Sequence, residues 1–290
     1  MRRLCSVAAL TALLVTVLQG TIPSAQAGAA TTYYLALGDS LSVGHQPGMG
    51  RSTHEGYTDQ LLGRLRQRAP GLALRNVGCP GETTRSLITG KRTLCHYAAG
   101  SQLDAAVTFL KAHPGATSFV TIDIGSNDLV GRCLDFRTGM FDPDCTADLI
   151  PRLRARLTHI VDALRSAAGP DVPIVGMKYY DPFVGLWALI PGGHAVARAD
   201  QRAWAMLNTA LTAAYVHSGV AVADVAETFK IRDFKDRVEV PGLGPVPVNV
   251  ALVCKWTWFC SKYLGDPHAN RTGYRKIAAT FERKLEGLLS

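Results

Sequence analysis

Five times along this chain a short apolar run is followed by a stretch with helical spacing, and that alternation restricts the fold more than any other feature. Buried strands are expected at residues 33–37, 72–77, 117–124, 172–180 and 220–225, the third of them rich in β-branched side chains. Between them, residues 57–67 place leucines at 61, 62 and 65 among Arg and Gln, which is the spacing of one helix face. Further helices are expected at 101–112, ended by Pro114, at 149–167, stopped by Gly169 and Pro170, and at 195–217, with residues 277–289 closing the chain. Such an order predicts an α/β fold, a three-layer α/β/α sandwich around a five-stranded parallel sheet. Ligands in these sheets bind beyond the carboxyl ends of the strands, so the loops there carry the chemistry.

The first residues stand apart. Arg2 and Arg3 precede an almost unbroken apolar run over 4–18, and small residues at 24–27 end on Ala27. That pattern is a signal peptide cleaved near Ala27. The run is short for a membrane span, and no Cys follows the cleavage site to take a lipid. Residues 1–27 are therefore expected to leave and residues 28–290 to form one secreted domain, because no repeat, low-complexity tract or linker divides them. Losing Arg2 and Arg3 lowers the formal net charge from +8 to +6. The excess is spread along the chain, which reads as a solvated basic surface. No nucleic-acid partner and no stable membrane insertion are expected, and the chain is read as a monomer.

Of the seven cysteines, Cys5 lies in the leader. The other six (Cys79, Cys95, Cys133, Cys145, Cys254, Cys260) form an even set in an exported chain, which argues for three disulfides. Six cysteines allow 15 connectivities, and sequence alone does not choose among them. The spacing suggests pairing in order, each bridge closing a short loop and contributing roughly 2–3 kcal/mol through chain entropy. No Cys-x-x-Cys and no His-Glu-x-x-His is present, so no metal site is expected.

Four strand ends or helix starts carry reactive residues. Gly38-Asp39-Ser40-Leu41 follows the first strand, where a serine flanked by Gly can present both its hydroxyl and its N–H. Gly81 follows the second strand, and glycine lets a ligand approach its amide closely. Asn127 follows the third, within Gly125-Ser126-Asn127-Asp128, and its side-chain amide suits an oxyanion. Asp266-Pro267-His268 precedes the last helix, with Tyr274 following. Any one of these is more often a turn or cap residue. Together they supply a nucleophile, oxyanion donors and a base on one edge of the sheet.

This set resembles the SGNH (GDSL) hydrolase family, whose blocks centre on Ser, Gly, Asn and His: here Ser40, Gly81, Asn127 and His268. The resemblance runs from Tyr34 to the final helix, and with six cysteines and a leader it is closest to the secreted lipase and esterase branch of actinomycetes. It implies a flavodoxin-like sheet, Ser40 as nucleophile, His268 as base, and an oxyanion hole from the Ser40 and Gly81 amides and the Asn127 side chain. It also implies sequential disulfides and catalysis without a metal or organic cofactor. One departure stands out. The family pattern has Asp three residues before the His and Pro after it, whereas here Gly265 holds the first place, Asp266 stands two before, and Ala269 replaces the Pro. Either the Asp266 carboxylate or a main-chain carbonyl then orients His268.

The expected function is a secreted serine esterase or lipase acting on a small-molecule or lipid ester. The alternatives are a carbohydrate O-acetylesterase, which the same blocks serve, and a non-catalytic secreted binding module. An α/β-hydrolase is excluded by the lack of Gly-x-Ser-x-Gly, and dinucleotide binding by the incomplete Gly48-x-Gly50. Two apolar stretches, residues 183–191 and 256–259, are candidates for an acyl-binding wall.

Overall fold

The run at residues 33–37 becomes the centre of the sheet because nothing polar interrupts it: Tyr34, Leu35, Ala36 and Leu37 are fully buried. The structure, a computed structural model, describes residues 31–289, so the expected leader at 1–27 lies outside the described residues. Strands follow as β1 (Thr32–Gly38), β2 (Leu72–Asn76), β3 (Thr117–Asp123), a short hairpin of β4 (Leu134–Asp135) and β5 (Met140–Phe141), β6 (Ile174–Lys178), β7 (Ala221–Asp224), and a second hairpin of β8 (Arg237–Val240) and β9 (Gly244–Pro247). The main sheet has the order β2-β1-β3-β6-β7, all parallel. Counting only its own strands, that is the 2-1-3-4-5 order of flavodoxin-like folds. The order reverses at β1 and β3, where a crevice opens between the loops that leave them.

The helices are α1 (Tyr57–Leu65), α2 (Thr84–Thr89), α3 (Gln102–Ala112), α4 (Ser126–Cys133), α5 (Pro143–Ala168), α6 (Leu186–Leu189), α7 (Gly193–His217), α8 (Val225–Thr228), α9 (Val248–Trp256) and α10 (Arg271–Leu289). On one face α1 packs beside α10, with the rings of Tyr57 and Phe281 stacked at 4.8 Å. Arg64 and Arg68 reach Glu282 and Glu286 across the same pair. On the other face α3, α5 and α7 lie in a row. The α5 leucines at 149, 153, 157 and 164 are buried, the repeat expected of one apolar stripe.

Several expected boundaries move for identifiable reasons. Helix α5 begins at Pro143, six residues earlier than read, because Asp142 caps the amides of Asp144 and Cys145 and proline suits the first turn. Helix α10 begins at Arg271, where Asn270 accepts from the amides of Thr272 and Gly273. The disulfides join Cys79 to Cys95, Cys133 to Cys145 and Cys254 to Cys260, in sequence order. Among the described residues, no helix is long and apolar enough to cross a membrane.

Candidate active site

Strand β1 ends at Gly38, and glycine is required there twice over. Its φ of +148° disfavours a side chain, and a Cβ would lie 2.1 Å from the Asp123 carboxylate. The chain then turns, and Asp39 fixes the turn by accepting from the Leu41 amide at 3.0 Å and presenting its own carbonyl to the Ser42 hydroxyl at 2.8 Å. Between them Ser40 is held at the carboxyl edge of the sheet, buried except for its face on the crevice.

Under this turn lies a polar cluster that the sequence reading missed. The second Asp39 oxygen accepts from Tyr179 Oη at 2.8 Å and Ser126 Oγ at 2.9 Å. Asp123, at the end of β3, accepts from Tyr57 Oη at 2.7 Å and lies against the Asp39 amide. Burial pushes the Asp123 carboxyl well above the usual carboxylate range, and the neighbouring Asp39 adds to the rise. The cluster ties the turn after β1 to the turns after β3 and β6. An acid directly after a strand was the available signal, but it is indistinguishable in sequence from an ordinary cap.

His268 arrives from the other end of the chain. Its loop is pinned on both sides: Tyr180 Oη donates to the Pro267 carbonyl at 2.6 Å, and the Trp258 amide donates to the His268 carbonyl at 3.0 Å. The imidazole Nε2 lies 2.9 Å from Ser40 Oγ, and Nδ1 lies 2.9 Å from Asp266 Oδ1. The same carboxylate oxygen accepts from the His268 amide at 3.0 Å. Burial pushes the Asp266 carboxyl up, but the hydrogen bonds and charge of His268 outweigh it, so its pKa falls below the ordinary value. With Asp two residues before His, the carboxylate thus reaches the ring through a tight turn and also binds the backbone of its partner. In this geometry Nδ1 carries the proton toward Asp266 and Nε2 presents its lone pair to Ser40.

Asn127 lines the same crevice from the first turn of α4. One of its amide hydrogens goes to the Glu82 carbonyl at 2.9 Å, which aims the other toward open space. Gly81 sits beside the crevice rather than in its wall. Its φ of +75° needs glycine, and no atom approaches within 4 Å of where a Cβ would stand. The Ser40 and Gly81 amides take part in no backbone hydrogen bond among the described residues. The structure therefore brings Ser40, Asn127, Asp266 and His268 together, with Gly81 adjacent through Glu82.

The crevice is small, about 90 Å³, and its apolar wall is Leu41, Val130, Pro182 and Trp204. The two stretches expected to form an acyl wall do not line it. Phe183, Val184 and Phe259 are buried in the main core, and Trp187 belongs to a separate cluster with Val246 and Val250. Beyond Asn127 opens a wider cleft of about 660 Å³, lined by Arg85, Lys91, Arg92, Arg132 and Arg156 with one acid, Asp128. That acid accepts from the Thr84 amide and hydroxyl at 2.7 and 2.6 Å and pairs with Arg156 at 3.4 Å.

Solved structures share this architecture at low identity. A GDSL-like lipase from Parabacteroides merdae aligns at a TM-score of 0.57 and 15% identity, covering 89% of this chain and 97% of its own. The acetyl xylan esterase AlAXEase gives 0.52 and 10% over 87% and 98%, and an extracellular lipase from Streptomyces rimosus 0.50 and 18% over 88% and 100%. Among curated proteins, none matches the chain. Residues 36–276, which hold Ser40, Asn127, Asp266 and His268, match the model of the GDSL-like Lipase/Acylhydrolase family, and the chain belongs to that family of carboxylic ester hydrolases.

Proposed function

We propose that the protein is an exported serine esterase for short acyl groups, with Ser40 as nucleophile, His268 as base and Asp266 as the group that orients it. The observation that carries this reading is the unbroken line of hydrogen bonds from Ser40 Oγ through His268 to Asp266, at the carboxyl edge of the sheet. His268 Nε2 takes the serine proton as Oγ attacks the ester carbonyl. The tetrahedral oxyanion faces the Ser40 and Gly81 amides and the free hydrogen of Asn127. Collapse passes the proton from His268 to the leaving alcohol and leaves an acyl-serine. Water, deprotonated by the same imidazole, then releases the acid.

The small crevice supports a short acyl group. A space of about 90 Å³ is small beside the several hundred Å³ of pockets that enclose larger ligands, which favours acyl groups of a few carbons. Phe183, Val184, Trp187 and Phe259, the large side chains of the two apolar stretches that are buried, pack into the core and not against the crevice. Similarity to an acetyl xylan esterase is in keeping with a short acyl group and keeps sugar O-acetyl esters within the reading. Three disulfides support a working place outside the reducing cytoplasm.

The test is a p-nitrophenyl ester series from acetate to palmitate, together with Ser40→Ala. Turnover is expected to peak at two to four carbons, and Ser40→Ala to lose about 10⁴-fold or more while keeping its near-UV circular dichroism. Labelling by a fluorophosphonate is expected in the parent and absent in Ser40→Ala. Ester turnover retained within tenfold in folded Ser40→Ala would overturn the nucleophile, and a peak at palmitate the acyl length.

A second reading concerns the alcohol half. Five cations line the cleft that Asn127 shares with the crevice, and only Arg156 among them pairs with its one acid, Asp128, at 3.4 Å. They favour an ester whose leaving group carries negative charge. Arg85→Ala and Arg132→Ala are expected to raise KM severalfold more for an anionic ester than for its neutral counterpart, and added salt to narrow the difference.

A further inference from the structure

A second histidine stands against the base. His45 lies in the turn that leaves Ser40, its amide bonded to the Ser40 carbonyl at 2.9 Å and its own carbonyl accepting from Tyr274 Oη at 2.9 Å. Its imidazole faces that of His268 with ring centroids 4.1 Å apart and planes at 40°. One nitrogen of each ring and one oxygen of Asp266 all lie within 4.8 Å of one another. All three residues are half-buried, so water and ions reach them while the loops hold them in place.

We propose that His45, Asp266 and His268 form an inhibitory site for a divalent transition metal such as zinc. Two imidazoles and a carboxylate are a common zinc donor set, with a fourth position left for water. Tetrahedral arms of roughly 2.0–2.1 Å bring ligand atoms to about 3.3 Å from one another, so closing the set draws these atoms in from within 4.8 Å and turns each ring to aim a nitrogen at the ion. Softer donors than oxygen alone select zinc or copper over magnesium and calcium. Ligand spacing in the sequence gave no sign of this set, because His45 and Asp266 come from opposite ends of the chain and meet only in the fold.

Inhibition follows from proton accounting and rests on His268 acting as the base. In the free protein the ring proton sits on Nδ1 and the lone pair on Nε2 faces Ser40. A metal bound at Nδ1 keeps the ring neutral with its single proton moved to Nε2, which then donates toward Ser40 and cannot accept. A metal bound at Nε2 consumes the lone pair directly. Either way Ser40 keeps its proton. The metal also competes for Asp266, which would no longer orient the ring.

The experiment measures binding and rate separately. Zinc chloride is titrated into the Ser40→Ala protein by calorimetry, and into the parent during p-nitrophenyl acetate hydrolysis, in a buffer that does not chelate. One ion per chain and inhibition reversed by a chelator are expected. Each is expected to weaken at least 30-fold in His45→Gln and in His45→Phe, with rates referred to each variant's own uninhibited value. The two variants guard against misfolding, since Phe keeps a ring against His268 and Gln keeps polarity. Equal zinc affinity with and without the His45 imidazole would overturn the site. Zinc that binds through His45 yet leaves hydrolysis untouched would overturn the inhibitory site, whereas loss of hydrolysis in Ser40→Ala with retained zinc binding keeps the test separate from the proposed nucleophile.

Discussion

At the residue scale the unusual spacing of Asp266 decides most. The carboxylate stands two residues before the histidine and still reaches Nδ1 at 2.9 Å, because its oxygen also caps the His268 amide and so closes the turn. Asp266→Asn can keep that amide contact but presents a neutral group to the ring, and it can stabilise the wrong tautomer. Turnover is therefore expected to fall by several powers of ten, as in the serine-protease triad, with a stable fold. A fall below tenfold in steady-state kinetics would point to a main-chain carbonyl instead. Of the candidate site, Ser40 and Asn127 could be read from sequence because each sits in a short motif after a strand, and His268 because its motif stands before the last helix. Asp39, Asp123, Tyr179, Tyr180 and His45 could not, because their roles depend on partners 66 to 229 residues away in the chain.

At the scale of elements, the proposed oxyanion side is built by two loops that brace each other. Asn127 in the first turn of α4 donates to the Glu82 carbonyl, and Cys79, three residues earlier than Glu82, is bridged to Cys95. Asn127→Ala removes both the oxyanion donor and that tie, and a fall in kcat on the order of 10²–10³ is expected with a smaller change in KM. The second bridge, Cys133–Cys145, joins the end of α4 to the start of α5. Titration with a mild reductant is therefore expected to lower esterase rate before near-UV circular dichroism is lost, since catalytic groups tolerate little displacement. Coincident loss of both signals would limit the bridges to general stability. Long elements were legible because their apolar repeat is long, as in α5 and α7. The two hairpins and α2, α4 and α8 were not, because two to eight residues carry too few repeats to show a period, and α9 was not because it is apolar at most positions.

At the scale of the whole molecule, buried acids tie stability to pH. Burial pushes the carboxyls of Asp123 and Asp181 well up, and that of Asp200 to about 7. A group whose folded pKa is raised favours folding most at low pH, and this contribution is lost as pH rises from about 4 through the folded value. Asp266 works in the opposite sense: its depressed pKa contributes above the unfolded value, and that contribution is lost on acidification. One Asp200 oxygen accepts from the Phe141 amide, while the other is buried without a partner. Asp200→Asn keeps the acceptor and removes the charge. It is expected to raise Tm by several degrees at pH 8 and to change it little at pH 5, as read by calorimetry. An unchanged Tm at pH 8 would mean that Asp200 keeps its proton throughout or is hydrated.

The parallel sheet and its covering helices were legible as a whole because strand and helix alternate without interruption. What the sequence conceals is timing. Ser40 and His268 are 228 residues apart, and the histidine loop is held by Tyr180 and by the packing of α10 on α1. A chain that emerges amino end first exposes its serine early and its imidazole almost last. On the proposed roles, every nascent or clipped product ending before Pro267 carries a nucleophile with no base, and hydrolysis is expected to begin only once the molecule has closed its two ends on each other.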